Sequence, residues 1–332
     1  MATNDAPAPV RPTQAEQLTF LYEARAAVSV LEASVELGIL RRLEAGWVDG
    51  AGVATECGID EAAALAVLPV LVNLGLAESD GRGVYRLAGC ELGGFLELLR
   101  PWDGLADALR RGPGMAAAED RPEDLYPRVV ASLATLFAPA AAAAVAHLHG
   151  AGRRVLDLGA GAAPWTIPLV AQDPACLVTA VDRVSVVAVT RQAVSTAGCE
   201  DRFRFLGGDV FEVDFEPAAF DVVVMANLCH LFDESTNRRL LSRVARWLAP
   251  GGTVAVIDLL PNERHDDPRA VLLYSLGLIH RTTSGQVYPF STYVGWLREA
   301  GFERVERIEL TSYPPVTLVR SQKPGRRTGA ED

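Results

Sequence analysis

Three carboxylates and two glycines between residues 155 and 211 have the types and spacing to hold a nucleotide. An apolar run at residues 155–158 enters the turn Gly159-Ala160-Gly161, and a helical pattern follows over residues 165–171. Strand, glycine turn and helix form the opening of a nucleotide-binding βα unit. Gly159 permits the sharp turn, and Gly161 lets backbone approach a ligand with no Cβ in the way. The pattern reads G-x-G-x-A and lacks the third glycine of G-x-G-x-x-G, so alone it is a weak signal. The next apolar run, residues 176–181, ends at Asp182, about 20 residues on, where a carboxylate can accept hydrogen bonds from ribose hydroxyls. A third run, residues 203–206, leads into Gly207-Gly208-Asp209-Val210-Phe211. A fourth ends in Ala226-Asn227-Leu228-Cys229-His230, and a fifth, ending at Asp258, follows Ala249-Pro250-Gly251-Gly252. Ligands in open α/β sheets bind at such strand tips.

This ordered set resembles the class I S-adenosylmethionine-dependent methyltransferases. The matching pieces are Asp157-Leu158-Gly159-Ala160-Gly161, Asp182, Gly208-Asp209-Val210-Phe211 and Leu248-Ala249-Pro250-Gly251-Gly252. The resemblance implies an α/β, Rossmann-like seven-stranded sheet over residues 151–320, with S-adenosylmethionine as cofactor and S-adenosylhomocysteine as product. It implies that Asp157, Gly159 and Gly161 meet the amino-acid end of the cofactor and that Asp182 takes the ribose. Asp209, Val210 and Phe211 then bracket adenine, with Asn227 completing the cofactor set. A Rossmann dehydrogenase is the rival for this domain. Asp209 and the Pro-Gly-Gly turn have no role in dinucleotide binding, which disfavours it.

The same resemblance implies a catalytic pair. In the family a histidine at the place of His230 removes a phenol proton, and an imidazole titrating near cellular pH suits that task. The family's orienting carboxylate lies 28 residues later, where this chain has Asp258 in place of the usual Glu. Two departures weaken the base. Leu231-Phe232 replaces the family's Asp-Trp, and Val287 falls where a second Glu is common. They fit either a more acidic phenol or carbon methylation of an activated ring or enolate by proximity, without an essential base. Tyr274, His280, Arg281, Tyr288 and Tyr293 fall where the family lines its acceptor pocket, Arg281 being available for a carboxylate. Trp102, Met115, Phe95, Leu98 and Leu99 are apolar candidates for the same wall.

The elements before the sheet read as a smaller domain over residues 15–105. A long amphipathic helix, broken near Gly38, precedes a helix that Asp60 can cap and Gly75 can end. A hairpin turning at Asp80-Gly81 follows, and the set makes a winged helix. Its would-be recognition helix, residues 61–74, carries no Lys or Arg, so it lacks donors for phosphate or base edges. Together with the methyltransferase domain this resembles the caffeate and acetylserotonin O-methyltransferase-like family, including bacterial natural-product tailoring enzymes. That resemblance implies a homodimer through the N-terminal domain and a small-molecule acceptor, the expected chemistry being transfer to a hydroxyl of an aromatic or polyketide-derived intermediate. Residues 106–150 read as connecting helices, two of them broken at Pro139, and Ser291 reads as a helix cap.

Composition narrows the classes further. The chain has 332 residues, 49% of them apolar and 22% charged, with net charge −11, which argues against a nucleic-acid partner. No apolar run reaches the ~20 residues expected of a membrane span. Residues 1–14 and 321–332 read as polar tails. Five scattered cysteines without C-x-x-C spacing read as reduced thiols of a cytoplasmic protein, and Cys229 as a buried small residue instead of a nucleophile. His147 and His149 have no carboxylate or cysteine beside them, so no metal site is expected.

Overall fold

The computed structural model describes residues 12–89, 92–112, 122–148 and 154–325. By its internal contacts the chain divides into two units, Met1–Cys90 and Glu91–Asp332.

In the first unit, α1 (Gln14–Glu36) opens with a capping box in which the Thr13 hydroxyl accepts from Glu16 N and the Glu16 carboxylate accepts from Thr13 N. Gly38, at φ 75°, lets the chain reverse into α2 (Ile39–Glu44). There follow β1 (Val48–Asp49), α3 (Gly50–Cys57) and α4 (Glu61–Asn73), the last capped by Asp60 Oδ1 accepting from Ala63 N at 3.0 Å. The strands β2 (Ala77–Ser79) and β3 (Val84–Leu87) form a hairpin that β1 joins, in the antiparallel order β1-β3-β2. Leu31, Ile39, Leu43, Val53, Leu68 and Leu71 fill the core, whereas Leu18, Leu21 and Tyr22 on α1 and Leu65 on α4 face outward.

The second unit begins with α5 (Gly93–Leu99), α6 (Leu105–Arg111) and α7 (Pro122–Leu148). Gly94 lets α5 lie directly on α7: a Cβ there would fall 2.1 Å from the Arg128 carbonyl. Residues 92–105, expected with the N-terminal domain, therefore belong with the second unit. The sheet and its helices follow: β4 (Arg154–Leu158), α8 (Ile167–Gln172), β5 (Leu177–Asp182), α9 (Val184–Thr196), β6 (Phe203–Gly207), β7 (Phe220–Ala226), α10 (Glu234–Trp247) and β8 (Leu248–Asp258). The unit closes with α11 (Arg269–Arg281), α12 (Phe290–Glu299), β9 (Glu303–Ser312) and β10 (Pro315–Gln322). Seven strands run in the order β6-β5-β4-β7-β8-β10-β9, with β10 antiparallel to both its neighbours and the others parallel.

Alternation along the strands gives the sheet two dry faces. Val155, Val178 and Val222 pack with Phe137, Ala141 and Ala144 of α7. Leu156, Leu158 and Met225 pack with Leu240 and Val244 of α10 and Trp296 of α12. The order reverses at β4, which opens a crevice at the carboxyl ends of β4, β5 and β7.

Three local expectations are corrected. The break expected at Pro139 does not occur: α7 is one helix with Pro127 and Pro139 inside it. An interior proline costs about 3 kcal/mol, and burial of Phe137, Ala140, Ala141 and Ala144 on either side of Pro139 offsets it. Within α7, Glu123–Leu148 is also long and apolar enough to cross a membrane by length and composition, contrary to the sequence reading. Phe137, Ala140, Ala141, Ala144 and Leu148 of this helix are buried in the core beside the sheet. Lastly, α12 starts at Phe290 after Pro289, and Ser291 does not cap it. Instead, Ser291 N and Oγ both donate to the Glu263 carboxylate.

Candidate active site

A cavity of about 330 Å³ sits in the crevice at the strand tips. Gly159 and Gly161, at φ 75° and 55°, form its floor. Both angles lie where side chains are strained, and a Cβ on Gly159 would also come 3.2 Å from Leu228. The turn is tied to β5: Gly159 N and Ala160 N donate to Val181 O at 2.9 and 3.1 Å, and Gly161 N donates to Asp182 Oδ2 at 2.7 Å. Thr190 Oγ1 donates to Gly161 O at 2.6 Å from α9. The turn's donors are thus used inside the protein, and what the glycines offer a ligand is close approach.

Asp182 and Asp209 both line this cavity, as do Val210 and Asn227. Burial raises the Asp182 carboxyl above its ordinary value, opposed by the N–H groups of Gly161 and Arg183. Asn227 sits at φ 51°, and its Oδ1 is buried with no hydrogen-bond partner among the described residues. A strained amide with an unmet acceptor on a cavity wall is the mark of a binding site. These groups fit the cofactor implied by the sequence: close backbone, a carboxylate at the second strand tip, and an orphaned amide oxygen.

Two residues of that set stand elsewhere. Asp157 does not line the cavity. It is fully buried within β4, where Thr166 Oγ1 donates to its Oδ2 at 2.6 Å and its Oδ1 has no partner among the described residues. Burial pushes its carboxyl up to about 7, the Thr166 hydroxyl lowering it and the Asp182 charge raising it. Phe211 also leaves the cavity wall. It packs edge-on against Phe232, 4.9 Å between centroids, because Asp209 Oδ1 accepts from Phe211 N and curls the chain into a tight turn. Arg243 of α10 holds that turn by donating to the carbonyls of Val210, Phe211 and Val213.

A second, more apolar cavity of about 280 Å³ adjoins the first, sharing Leu133, Phe137 and Arg281 with it. Phe95, Leu98, Leu99, Trp102, Tyr274 and Gly277 line its other walls. The Arg281 guanidinium lies 5.0 Å over the Tyr274 ring and has no carboxylate partner among the described residues. Tyr288 is not part of this wall. Its hydroxyl donates to Phe232 O at 2.7 Å, and its ring packs on Trp296 in the core. Only the backbone of His280 is described, within α11, and Met115 lies outside the described residues.

His230 and Asp258 come together from the ends of β7 and β8. His230 Nδ1 and Asp258 Oδ1 are 2.6 Å apart, with side chains 2% and 1% exposed. Asp258 also accepts from Leu259 N at 2.9 Å and from the Tyr293 hydroxyl at 3.0 Å. A carboxylate donates nothing, so Nδ1 carries the proton and Nε2 is the acceptor. The Nε2 partner is the Tyr274 hydroxyl, at 2.6 Å. Asn237 Nδ2 braces the turn carrying His230 by donating to Cys229 O and Phe232 O at 2.9 and 3.2 Å. Cys229 is buried, and burial raises its thiol well above the usual range. Among the described residues no cluster of His, Cys, Asp or Glu could hold a metal.

Sequence reasoning missed Thr166, Thr190, Asn237 and Arg243. Asn237 and Arg243 had a faint signal, as polar residues on the inward stripe of an amphipathic helix. Thr166 and Thr190 had none.

The doubly wound sheet with its glycine turn and strand-tip carboxylates is that of the class I S-adenosylmethionine-dependent methyltransferases. The chain belongs to the O-methyltransferase domain family, whose profile matches residues 113–303, more than half of its length. It is 29% identical over 320 residues to 3-hydroxy-5-methyl-1-naphthoate 3-O-methyltransferase of Streptomyces sahachiroi, covering 89% of this chain and 91% of that protein. It is 28% identical over 332 residues to the tetracenomycin polyketide synthesis 8-O-methyl transferase of Streptomyces glaucescens, covering 93% and 96%. Human N-acetylserotonin methyltransferase, solved with S-adenosylmethionine, shares the fold at TM-score 0.73 and 24% identity, covering 96% of this chain and all of that one. The protein is therefore an O-methyltransferase, and S-adenosylmethionine is its cofactor.

Proposed function

We propose that the protein methylates a hydroxyl of a flat, hydroxylated aromatic compound of polyketide type, with His230 as the general base and Asp258 as its orienting partner. The observation that carries this reading is the buried His230–Asp258 contact, 2.6 Å long and closed on the far side by Leu259 N and Tyr293. When bound, S-adenosylmethionine supplies an electrophilic methyl carbon. Gly159 and Gly161 would admit its amino-acid end, Asp182 would accept from its ribose, Asp209 and Val210 would bracket its adenine, and Asn227 would complete the set. Asp258 fixes the imidazole tautomer and offsets the charge that forms when the ring takes a proton. Tyr293 performs part of the support that a second carboxylate gives elsewhere in the family.

Three features support the acceptor class. The second cavity is walled by Phe95, Leu98, Leu99 and Trp102, which suit a planar ring system. Arg281, without a carboxylate of its own among the described residues, suits an acidic substituent. Of the two relatives named above, one is a hydroxynaphthoate O-methyltransferase and the other an O-methyl transferase of polyketide synthesis. The test is turnover of 3-hydroxy-5-methyl-1-naphthoate and of hydroxylated anthraquinones by the wild type and by His230→Ala. The variant is expected to bind S-adenosylhomocysteine normally and to lose about 10²–10⁴ in kcat. Wild-type turnover by His230→Ala would sink the base assignment and favour methylation by proximity.

The N-terminal unit supports a second part of the reading, a homodimer. The order α2-β1-α3-α4 followed by the β2-β3 hairpin fits the winged helix expected from the sequence, yet α4 carries no cation to meet a phosphate. Leu18, Leu21 and Tyr22 form an outward apolar strip on α1 that calls for protein cover. Light scattering should give twice the 35.5 kDa chain mass; a monomer at micromolar concentration would remove this part.

A further inference from the structure

His230 lines neither cavity, and its only free nitrogen is already engaged by Tyr274. Tyr274 does line the apolar cavity, and its hydroxyl bonds the buried histidine that the cavity does not reach. The Nε2 atom has a single lone pair, so an acceptor hydroxyl cannot bond it while Tyr274 does. Either the tyrosine leaves, or the proton travels through it.

We infer that Tyr274 is a catalytic proton relay, taking the proton of the acceptor hydroxyl on its own oxygen while passing its own proton to His230 Nε2. This rests on the proposed role of His230 as base. The balance is closed. The acceptor O–H bond breaks and a new O–H bond forms on Tyr274. The original Tyr274 O–H bond breaks and an N–H bond forms on Nε2. Tyr274 ends as it began, the imidazolium faces Asp258, and the acceptor oxygen keeps the electron pair with which it attacks.

Three observations favour a relay over a tyrosine that swings aside. The ring is held edge-on to His230, 5.0 Å between centroids, and covered on its face by Arg281. Arg281 Nε in turn donates to Gly277 O at 3.4 Å, one turn along the same helix, which helps keep the guanidinium over the ring. Burial also raises the phenol above its ordinary range, which keeps it protonated as a donor to Nε2 and unfit to act as a standing base. The neighbouring charges are the Arg281 cation and the Asp258 carboxylate, and the nearby ionisable phenol is Tyr126.

The test uses the full-length enzyme with S-adenosylmethionine and 3-hydroxy-5-methyl-1-naphthoate or, of a panel of hydroxylated naphthoates and anthraquinones, the compound turned over fastest. The relay predicts that Tyr274→Phe loses kcat by about as much as His230→Ala, on the order of 10²-fold or more. It predicts little change in the KM of the acceptor, no change in S-adenosylhomocysteine affinity, and a double variant no slower than His230→Ala. It also predicts a curved proton inventory in mixed H₂O and D₂O for the wild type, reporting two protons in flight. Tyr274→Phe at or above the wild-type rate, with His230→Ala inactive, would overturn the relay and leave His230 as base. His230→Ala at the wild-type rate would instead overturn the reading beneath it. If Tyr274→Phe does not fold, the wild-type proton inventory decides alone: a linear dependence on deuterium content, reporting a single proton in flight, overturns the proposal.

Discussion

The proposed cofactor cleft and the proposed acceptor side of this enzyme are built on different plans. The cleft is made of backbone and short side chains delivered by consecutive strand tips: Gly159 to Gly161 after β4, Asp182 ending β5, Asp209 after β6 and Asn227 after β7. The acceptor side is made of long side chains that converge from distant segments. Trp102 precedes the sheet, Tyr274 and Arg281 come from α11, and Tyr293 from α12. In the first region the fold alone sets the geometry. In the second, one buried hydrogen-bond chain sets it, running from Tyr293 through Asp258 and His230 to Tyr274. Damage to the first should appear in cofactor affinity, and damage to the second in kcat.

The largest test of that division is Asp258→Asn. Loss of the partner that fixes the His230 tautomer should lower kcat by about 10²–10⁴ and leave S-adenosylhomocysteine affinity, measured calorimetrically, unchanged. A matching loss of affinity would show that the two regions are not separable. Next comes Asp182→Asn, which retains the shape but removes a charge-assisted acceptor. It should weaken S-adenosylhomocysteine binding about 10-fold and change kcat at saturating cofactor little. A large fall in kcat there would break the comparison from the other side.

The smallest effect is in pH dependence. Asp157 is raised from 3.8 to about 7 in the folded chain, so between those values the folded state keeps a proton that the unfolded state has lost. The sign follows: stability from this group is present at low pH and is lost as pH rises from about 4 through about 7. In Asp157→Asn the neutral amide can still accept from Thr166. The melting temperature of the apo wild type should therefore fall relative to that of the variant as pH rises across this window. Parallel melting curves at all pH values would show that Asp157 is ionised in the fold.

The two plans also explain what could be read from the sequence. Residues 155–161, 182 and 209 announce the cleft because a strand, a tight turn and a carboxylate at its tip are local patterns. The same locality misplaced Phe211: a turn closed by Asp209 and clamped by Arg243 from 32 residues away leaves no trace in the segment itself. Tyr274 and Tyr288 both looked like pocket residues, being aromatic and suitably placed. One bonds the histidine, and the other uses its hydroxyl on Phe232 O and its ring on Trp296. Nothing in either segment separates these fates, because they depend on which turn of a distant loop each ring meets. Pro139 misled in the opposite direction, since its local penalty was outweighed by packing that only the sheet supplies.

Leu133, Phe137 and Arg281 stand as a party wall between the two cavities, the proposed cofactor site and the proposed acceptor site. Anyone reshaping this enzyme for bulkier aromatics inherits that arrangement. Trimming the shared side chains would enlarge room for the acceptor and loosen the cofactor berth at the same stroke, so selectivity and methyl-donor saturation would drift together. The outer residues Phe95, Leu98, Trp102 and Gly277 line only the second cavity, and a redesign confined to them should change which ring is accepted without changing how the methyl donor is held.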